Sequence, residues 1–370
     1  MPTTRILVVD DSVVIRKLLS DVLSADRSLE VVGVASDGRI ALAKIPLLKP
    51  DLITLDIEMP VMNGLETLAA IRKLYAKLPV IMFSTLTEQG AAATLEALAL
   101  GASDYATKPS NTGSSAVAIE RIRGELIPKI KALCGVVTWT VAPLVRPTPA
   151  VKVRTALNSR VEIVAIGAST GGPNALAKVL PLIPKDFPVP IVVVQHMPPI
   201  FTRLLAERLA NHSAIGVQEG AAGTELRAGQ AWIAPGNFHM TVKRAGLRWS
   251  LELNQDAPEN SCRPAVDVLF RSVAAAYGAN TLGVVMTGMG SDGVLGAKHI
   301  REAGGEVIIQ DEASAVVWGM PGLVHAAGQA DGIYPVDDLA REITRRVRQN
   351  REAGAPLSSA QCVGQELGAK

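Results

Sequence analysis

Short apolar runs recur along this chain, and through its first third each is followed by a stretch of helical periodicity. The runs lie at 6–9, 31–35, 52–55, 80–83 and 105–107, and helical patterns fill 13–24, 38–48, 64–76, 88–100 and 115–133. Five βα units in succession predict a doubly wound, five-stranded parallel sheet over residues 1–134. Pro128 falls inside the last helical pattern and is expected to kink it.

The pattern resumes further on. Strand-like runs appear at 161–166, 190–195, 215–218, 231–234, 239–243, 249–253, 282–287 and 306–310, and helical ones at 173–181, 200–211, 264–277, 293–303 and 337–349. This predicts a second α/β domain over 159–350 with a mainly parallel sheet, and an antiparallel patch where 231–253 forms short hairpins. Between the domains, Pro143, Pro147 and Pro149 interrupt 135–158, which reads as an extended linker. Residues 351–370, rich in Gly, Ala, Ser and Gln, read as a loose tail.

Composition narrows the classes. Hydrophobic residues make up 48% of the 370 residues and aromatics only 4%, the aliphatic bias of sheets covered on both faces. A net charge of +2 leaves no basic footprint for nucleic acid. Cys134, Cys262 and Cys362 are odd in number and far apart, which fits neither a disulfide framework nor a metal motif and points to a reducing, cytoplasmic setting. No secretory leader or membrane-spanning run is visible, so no membrane insertion is expected.

In the first domain, Asp10 and Asp11 follow the first strand and Asp56 ends the third. Neighbouring strands would gather these carboxylates at one edge, where they repel unless a hard cation such as Mg²⁺ joins them. Ser84 ends the fourth strand, and Lys108, followed by Pro109, ends the fifth. One Asp after a strand is commonly a cap; the full set at four strand ends is not explained that way. The segments I-L-V-V-D-D-S, L-D-I-E-M-P-V-M-N-G, V-I-M-F-S-T-L-T and D-Y-A-T-K-P resemble those of a response-regulator receiver domain, over 5–133. The resemblance implies that Asp56 accepts a phosphoryl group from a phosphohistidine of a histidine kinase. It implies Mg²⁺ held by Asp10, Asp11, Asp56 and the carbonyl of Glu58, Lys108 on the phosphoryl oxygens, and Ser84 with Tyr105 as a switch pair.

In the second domain three motifs follow strand-like runs: G-A-S-T-G-G at 167–172, V-Q-H-M-P at 194–198 and T-G-M-G-S-D-G at 287–293. Ser169, His196 and Asp292 therefore sit past strand ends, at the edge where open α/β sheets bind ligands, and they are the residue types of a hydrolytic triad. G-A-S-T-G satisfies the nucleophile-elbow pattern, but the order Ser, His, Asp disfavours the α/β-hydrolase family. G-M-G-S-D-G is also a literal G-x-G-x-x-G, with Asp311 after a later strand as a ribose-binding acid. Asp292 inside that loop would repel a pyrophosphate, and a dinucleotide leaves Ser169 and His196 unexplained.

Residues 161–347 resemble the catalytic domain of the chemotaxis protein-glutamate methylesterases, the CheB family. A-I-G-A-S-T-G-G-P, V-V-Q-H-M-P, W-I-A-P-G-N-F-H-M, S-C-R-P-A-V-D-V-L-F and M-T-G-M-G-S-D-G carry the resemblance. It implies hydrolysis of glutamate methyl esters on the cytoplasmic helices of chemoreceptors, with glutamine deamidation by the same chemistry and no cofactor in the catalytic domain. Ser169 would be the nucleophile, His196 the base and Asp292 its orienting acid. The N–H of Met289 and groups near Thr170 are the candidate oxyanion donors. A receiver lying over the catalytic edge would gate access.

Overall fold

The computed structural model describes residues 3–108, 115–136, 160–246, 248–349 and 351. The expected linker and tail lie almost wholly outside the described residues.

The first domain follows the expected alternation. In chain order it runs β1 (Thr4–Val9), α1 (Val13–Ser24), β2 (Leu29–Ala35), α2 (Gly38–Leu48), β3 (Leu52–Asp56), α3 (Gly64–Leu74), β4 (Val80–Ser84), α4 (Glu88–Ala99), β5 (Asp104–Thr107) and α5 (Ser115–Leu133). The strands pair in the order β2-β1-β3-β4-β5, every pair parallel. β3 and β4 are buried along their whole length, as strands with helices on both faces must be. Short polar side chains start the helices: Ser12, Asp37, Asn63 and Thr87 each accept an N–H of the first turn, and Asn63 with Glu66 completes a capping box. α5 carries Pro128 within its span and continues to Leu133.

The second domain comprises β6 (Ile163–Ala168), α6 (Gly172–Val179), β7 (Ile191–Gln195), α7 (Phe201–Ala210), β8 (Gly216–Glu219), β9 (Gln230–Ile233), β10 (His239–Ala245), β11 (Arg248–Asn254), α8 (Val266–Tyr277), β12 (Thr281–Val285), α9 (Val294–Glu302), β13 (Glu306–Gln310), α10 (Met320–Ala326), β14 (Gly332–Tyr334) and α11 (Val336–Arg348). Seven strands form one sheet in the order β14-β13-β12-β6-β7-β9-β8, and all its pairs are parallel. The antiparallel patch is smaller than expected. β9 belongs to the main sheet between β7 and β8, and only β10 and β11 form a separate hairpin. Alternation alone cannot tell a buried parallel strand from one arm of a hairpin. α10 and β14 lay below the sequence signal, because one is a single Pro- and Gly-containing heptapeptide and the other is three residues long.

The chain leaves β6 toward β7 on one side and returns to β12 on the other. The order therefore reverses between β6 and β12, which makes a crevice at their carboxyl ends. The receiver sheet reverses in the same way between β1 and β3. The two domains are in contact. The Tyr105 ring stacks on Phe201, with centroids 4.8 Å apart and planes 9° apart. One buried apolar cluster takes in Leu95 and Tyr105 from the receiver side and Phe201 and Leu205 from the other.

Candidate functional site

At the receiver crevice, Asp10 is wholly buried and Asp56 is 3% exposed, while Asp11 is exposed. Oxygens of the three carboxylates lie within 4.8 Å of one another. Lys108 Nζ sits 2.9 Å from Asp10 Oδ2 and 2.7 Å from Asp56 Oδ2. Both oxygens are buried and accept no properly directed hydrogen bond among the described residues. Burial pushes the Asp56 carboxyl up to about 6 against the pull of Lys108, and Asp10 adds to the rise. Buried carboxylate oxygens crowded together, with Lys108 the one cation against two of them among the described residues, are the donor set a hard divalent cation takes. Glu58, Ser84 and Lys108 line the adjoining cavity of about 190 Å³. Ser84 Oγ donates to Gly90 O at 3.1 Å. Tyr105 is buried against Phe201.

At the second crevice the local chemistry is set by the turns. Ser169 follows β6 directly, and Gly171 takes φ +77°, a left-handed conformation in which Val316 crowds any Cβ. α6 then begins with Gly172 and Pro173, and Gly172 N–H closes the turn onto Ser169 O at 2.8 Å. Ser169 N–H donates to Thr287 O at 3.0 Å, and His196 N–H to Ala168 O at 3.1 Å, so the turns after β6, β7 and β12 are laced together.

The structure joins His196 to Asp292, in turns laced through the backbone to the turn of Ser169. His196 Nε2 lies 2.8 Å from Asp292 Oδ2. A carboxylate only accepts, so Nε2 carries a proton directed at Asp292, and Nδ1 is the nitrogen turned away from it. Cys262 Sγ stands 3.5 Å from that Nδ1. Among the described residues no hydrogen bond joins Ser169 Oγ to His196. Asp292 is 1% exposed and saturated: Oδ2 also accepts Val266 N–H at 2.6 Å, and Oδ1 accepts Asp267 N–H at 2.9 Å and Asn260 Nδ2 at 3.0 Å. Burial alone would raise its pKa; His196 and these N–H groups hold it below the usual carboxylate range. Burial also disfavours a charged His196 ring, but Cys262 and Asp292 more than offset it, so the ring keeps a proton above its ordinary range.

Of the oxyanion candidates, Met289 N–H and Thr170 N–H make no hydrogen bond among the described residues. The Thr170 hydroxyl is not free: it donates to Asp104 Oδ2 of the receiver at 2.7 Å. Asp311, the ribose-binding acid of the dinucleotide reading, accepts from Ser314 N–H at 3.1 Å through Oδ1 and serves as a local turn cap.

Sequence reasoning gave no role to Gln195, Asn260, Cys262 or Asp267. Gln195 is 2% exposed, and its Nε2 donates to Ser169 O at 2.9 Å, tying the strand that leads into the histidine to the serine turn. Their only signal was adjacency: Gln195 beside His196, and the other three in or beside S-C-R-P-A-V-D.

The domain contact lies over this crevice. Tyr105, Glu125 and Lys129 line one wall of a cavity of about 460 Å³, and His196, Cys262 and Arg263 line another. Lys129 Nζ lies 3.3 Å from Asp104 Oδ2, and Arg208 donates across the contact to Leu95 O at 2.7 Å.

Two comparisons carry this geometry to a family. The receiver-domain family model of response regulators matches residues 6–120, and the CheB methylesterase model matches 164–343. The protein-glutamate methylesterase/protein-glutamine glutaminase of Trichodesmium erythraeum is 54% identical over 351 residues, covering 94% of this chain and 100% of that protein. The chain belongs to the CheB methylesterase family. A second family member bearing the same name, from a Nocardioides species, is 51% identical over 367 residues, covering 97% of this chain and all of its own. The crystal structure of the Thermotoga maritima CheB methylesterase catalytic domain is 42% identical, with a TM-score of 0.49, and covers 50% of this chain and 98% of its own. As a CheB family member this chain is a methylesterase, a hydrolase fused to a response-regulator receiver. Among the described residues no helix is long and apolar enough to cross a membrane.

Proposed function

We propose that this protein removes methyl esters from glutamate side chains of chemoreceptors, releasing methanol, and deamidates receptor glutamines with the same machinery. The observation that carries this reading is the 2.8 Å His196–Asp292 contact, in turns laced by backbone hydrogen bonds to that of Ser169, at the switch point of an all-parallel sheet. Ser169 Oγ attacks the ester γ-carbonyl and gives its proton to His196 Nδ1. Asp292 holds the proton on Nε2 and stabilises the imidazolium. Met289 N–H and Thr170 N–H face the developing oxyanion. Collapse expels methoxide, which takes the proton from His196 and leaves as methanol. Water, deprotonated by His196, then attacks the acyl-serine, freeing glutamate and restoring Ser169. With a glutamine substrate the leaving group is ammonia and nothing else changes.

The receiver supplies regulation. A histidine kinase of the chemotaxis system donates a phosphoryl group to Asp56. Asp10, Asp11, Asp56 and the Glu58 carbonyl would hold Mg²⁺, which when bound neutralises charge on the transferring group. Lys108 contacts the phosphoryl oxygens, and Ser84 turns from Gly90 toward them. Tyr105 follows, and its stack on Phe201 loosens, opening the crevice to a receptor helix. The domain boundaries, 1–134 and 159–350 with a linker and a tail, belong to this reading, as does a cytoplasmic place of action. The decisive experiment is methanol release from methylated receptor membranes. Ser169→Ala is expected to abolish it with the fold retained, and substantial residual release would sink the serine mechanism.

A further inference from the structure

One buried carboxylate near the crevice has no part in the steps above. Asp267 lies in the first turn of α8 and is 1% exposed. Its Oδ1 accepts Gly293 N–H at 3.0 Å and Gly296 N–H at 2.6 Å. These are amides of the start of α9, the helix that begins just after Asp292. Gly293 is the N-cap of α9, at φ +94°, and offers no side-chain cap of its own. Asp267 therefore caps α9 from another helix. The relation is reciprocal, because Asp292 accepts the N–H groups of Val266 and Asp267 at the start of α8. Each carboxylate sits on the positive end of the other's helix, which favours both charges.

Asn260 joins the two acids directly. Its Nδ2 donates to Asp267 Oδ2 at 2.9 Å and to Asp292 Oδ1 at 3.0 Å. An amide nitrogen has two hydrogens, so both are used and both carboxylates must accept. Asn260 takes φ +51° and is held between Glu259 and Cys262, which bridge each other, while Glu259 Oε2 pairs with Arg271 Nη1 of α8 at 2.9 Å. Every contact that fixes the Asp292 carboxylate, His196 apart, comes from a group that Asp267 orders or neighbours.

We propose that Asp267 is a positioning residue of the esterase reaction, setting the rotamer of Asp292 through Asn260 and the α9 cap, and through Asp292 the tilt of the His196 ring. The inference rests on the reading of Ser169, His196 and Asp292 as the reacting set. Asp267 touches no reacting atom; its effect passes through Asp292. Burial, then the neighbouring Asp292, pushes its carboxyl up to about 6.

The test compares Asp267→Asn and Asn260→Ala with the unaltered full-length protein. Two rates are read: methanol release from methylated receptor membranes, and labelling of Ser169 by a fluorophosphonate, which reports nucleophile activation without receptor. Asp267→Asn retains an acceptor for the α9 amides but loses the charge that Asn260 needs. The expected result is a fall in both kcat and labelling rate of about 10- to 100-fold, the worth of a hydrogen bond to a charged group, with KM within about twofold. Asn260→Ala leaves the α9 cap intact and is expected to fall the same way, which keeps the idea testable if Asp267→Asn folds poorly. A lowered melting temperature with both rates unchanged in both variants would reduce Asp267 to a structural cap and overturn the proposal. Methanol release surviving Ser169→Ala would instead overturn the reading of the reacting set, a separate outcome.

Discussion

Cys262 stands against Nδ1 of His196, the nitrogen proposed to take the serine proton. With burial working against the charged ring, Cys262 and Asp292 keep His196 protonated above its ordinary range. A protonated ring cannot act as base, so esterase activity should rise with pH. Cys262→Ala removes one of the two groups that hold the proton and should move the acid limb of the pH–rate profile to lower pH; an unmoved limb would show that Asp292 alone sets it. Asp56 gives a second residue-scale expectation. Its carboxyl titrates near 3.8 when unfolded and near 6 when folded, so the folded state holds the extra proton between those values. Stability is then lost as pH rises through that window, by on the order of 2–3 kcal/mol at pH 7. Asp56→Asn should raise the receiver's melting temperature at pH 7.5 in the presence of a chelator, and the gain should vanish by pH 3.5.

Among the elements, the turn after β12 abuts the serine turn with no spare volume. A Cβ on Gly288 would lie 2.8 Å from Ser169 Cβ and 2.4 Å from Met320 Sδ. Gly288→Ala should therefore displace Ser169 and lower kcat by at least about 10-fold, about 1.4 kcal/mol of barrier, while circular dichroism stays native. The receiver turns carry a complementary expectation. Mg²⁺ held as proposed would relieve the repulsion among Asp10, Asp11 and Asp56, so adding it should raise the receiver's melting temperature with a saturable concentration dependence. Asp10→Asn should abolish that rise, and an undiminished rise would place the ion elsewhere. Strands and helices with strong period were legible at this scale. The β9 pairing was not, because an apolar tetrapeptide looks the same in a hairpin and in a parallel sheet; its neighbours β7 and β8 decide.

For the molecule as a whole, the receiver and the catalytic crevice share a wall. Asp104, one residue before Tyr105, joins them, accepting the Thr170 hydroxyl at 2.7 Å and pairing with Lys129. Asp104→Ala should loosen this contact and raise the basal rate of unphosphorylated protein about 5-fold or more, a modest allosteric coupling. The same variant should respond less to a small phosphoryl donor, since part of the opening is already made. If basal and stimulated rates both matched the unaltered protein, the Asp104–Thr170 contact would carry no regulation.

The periodicity of apolar runs determined two sheets with helices on both faces, because burying such runs leaves few alternatives. Motif spacing put Ser169, His196, Asp292 and the receiver acids at strand ends, since a strand's length fixes where its last residue emerges. Strand order, however, depends on crossovers that no local signal encodes, and it was tertiary structure that brought β6 between β7 and β12. The same holds for groups that act across distance. Asp267 on α8 reads as an ordinary first-turn acid, and only the approach of α9 gives it Gly293 and Gly296 to cap. Tyr105 reads as a receiver side chain, and only domain contact sets it on Phe201, above the crevice that holds His196.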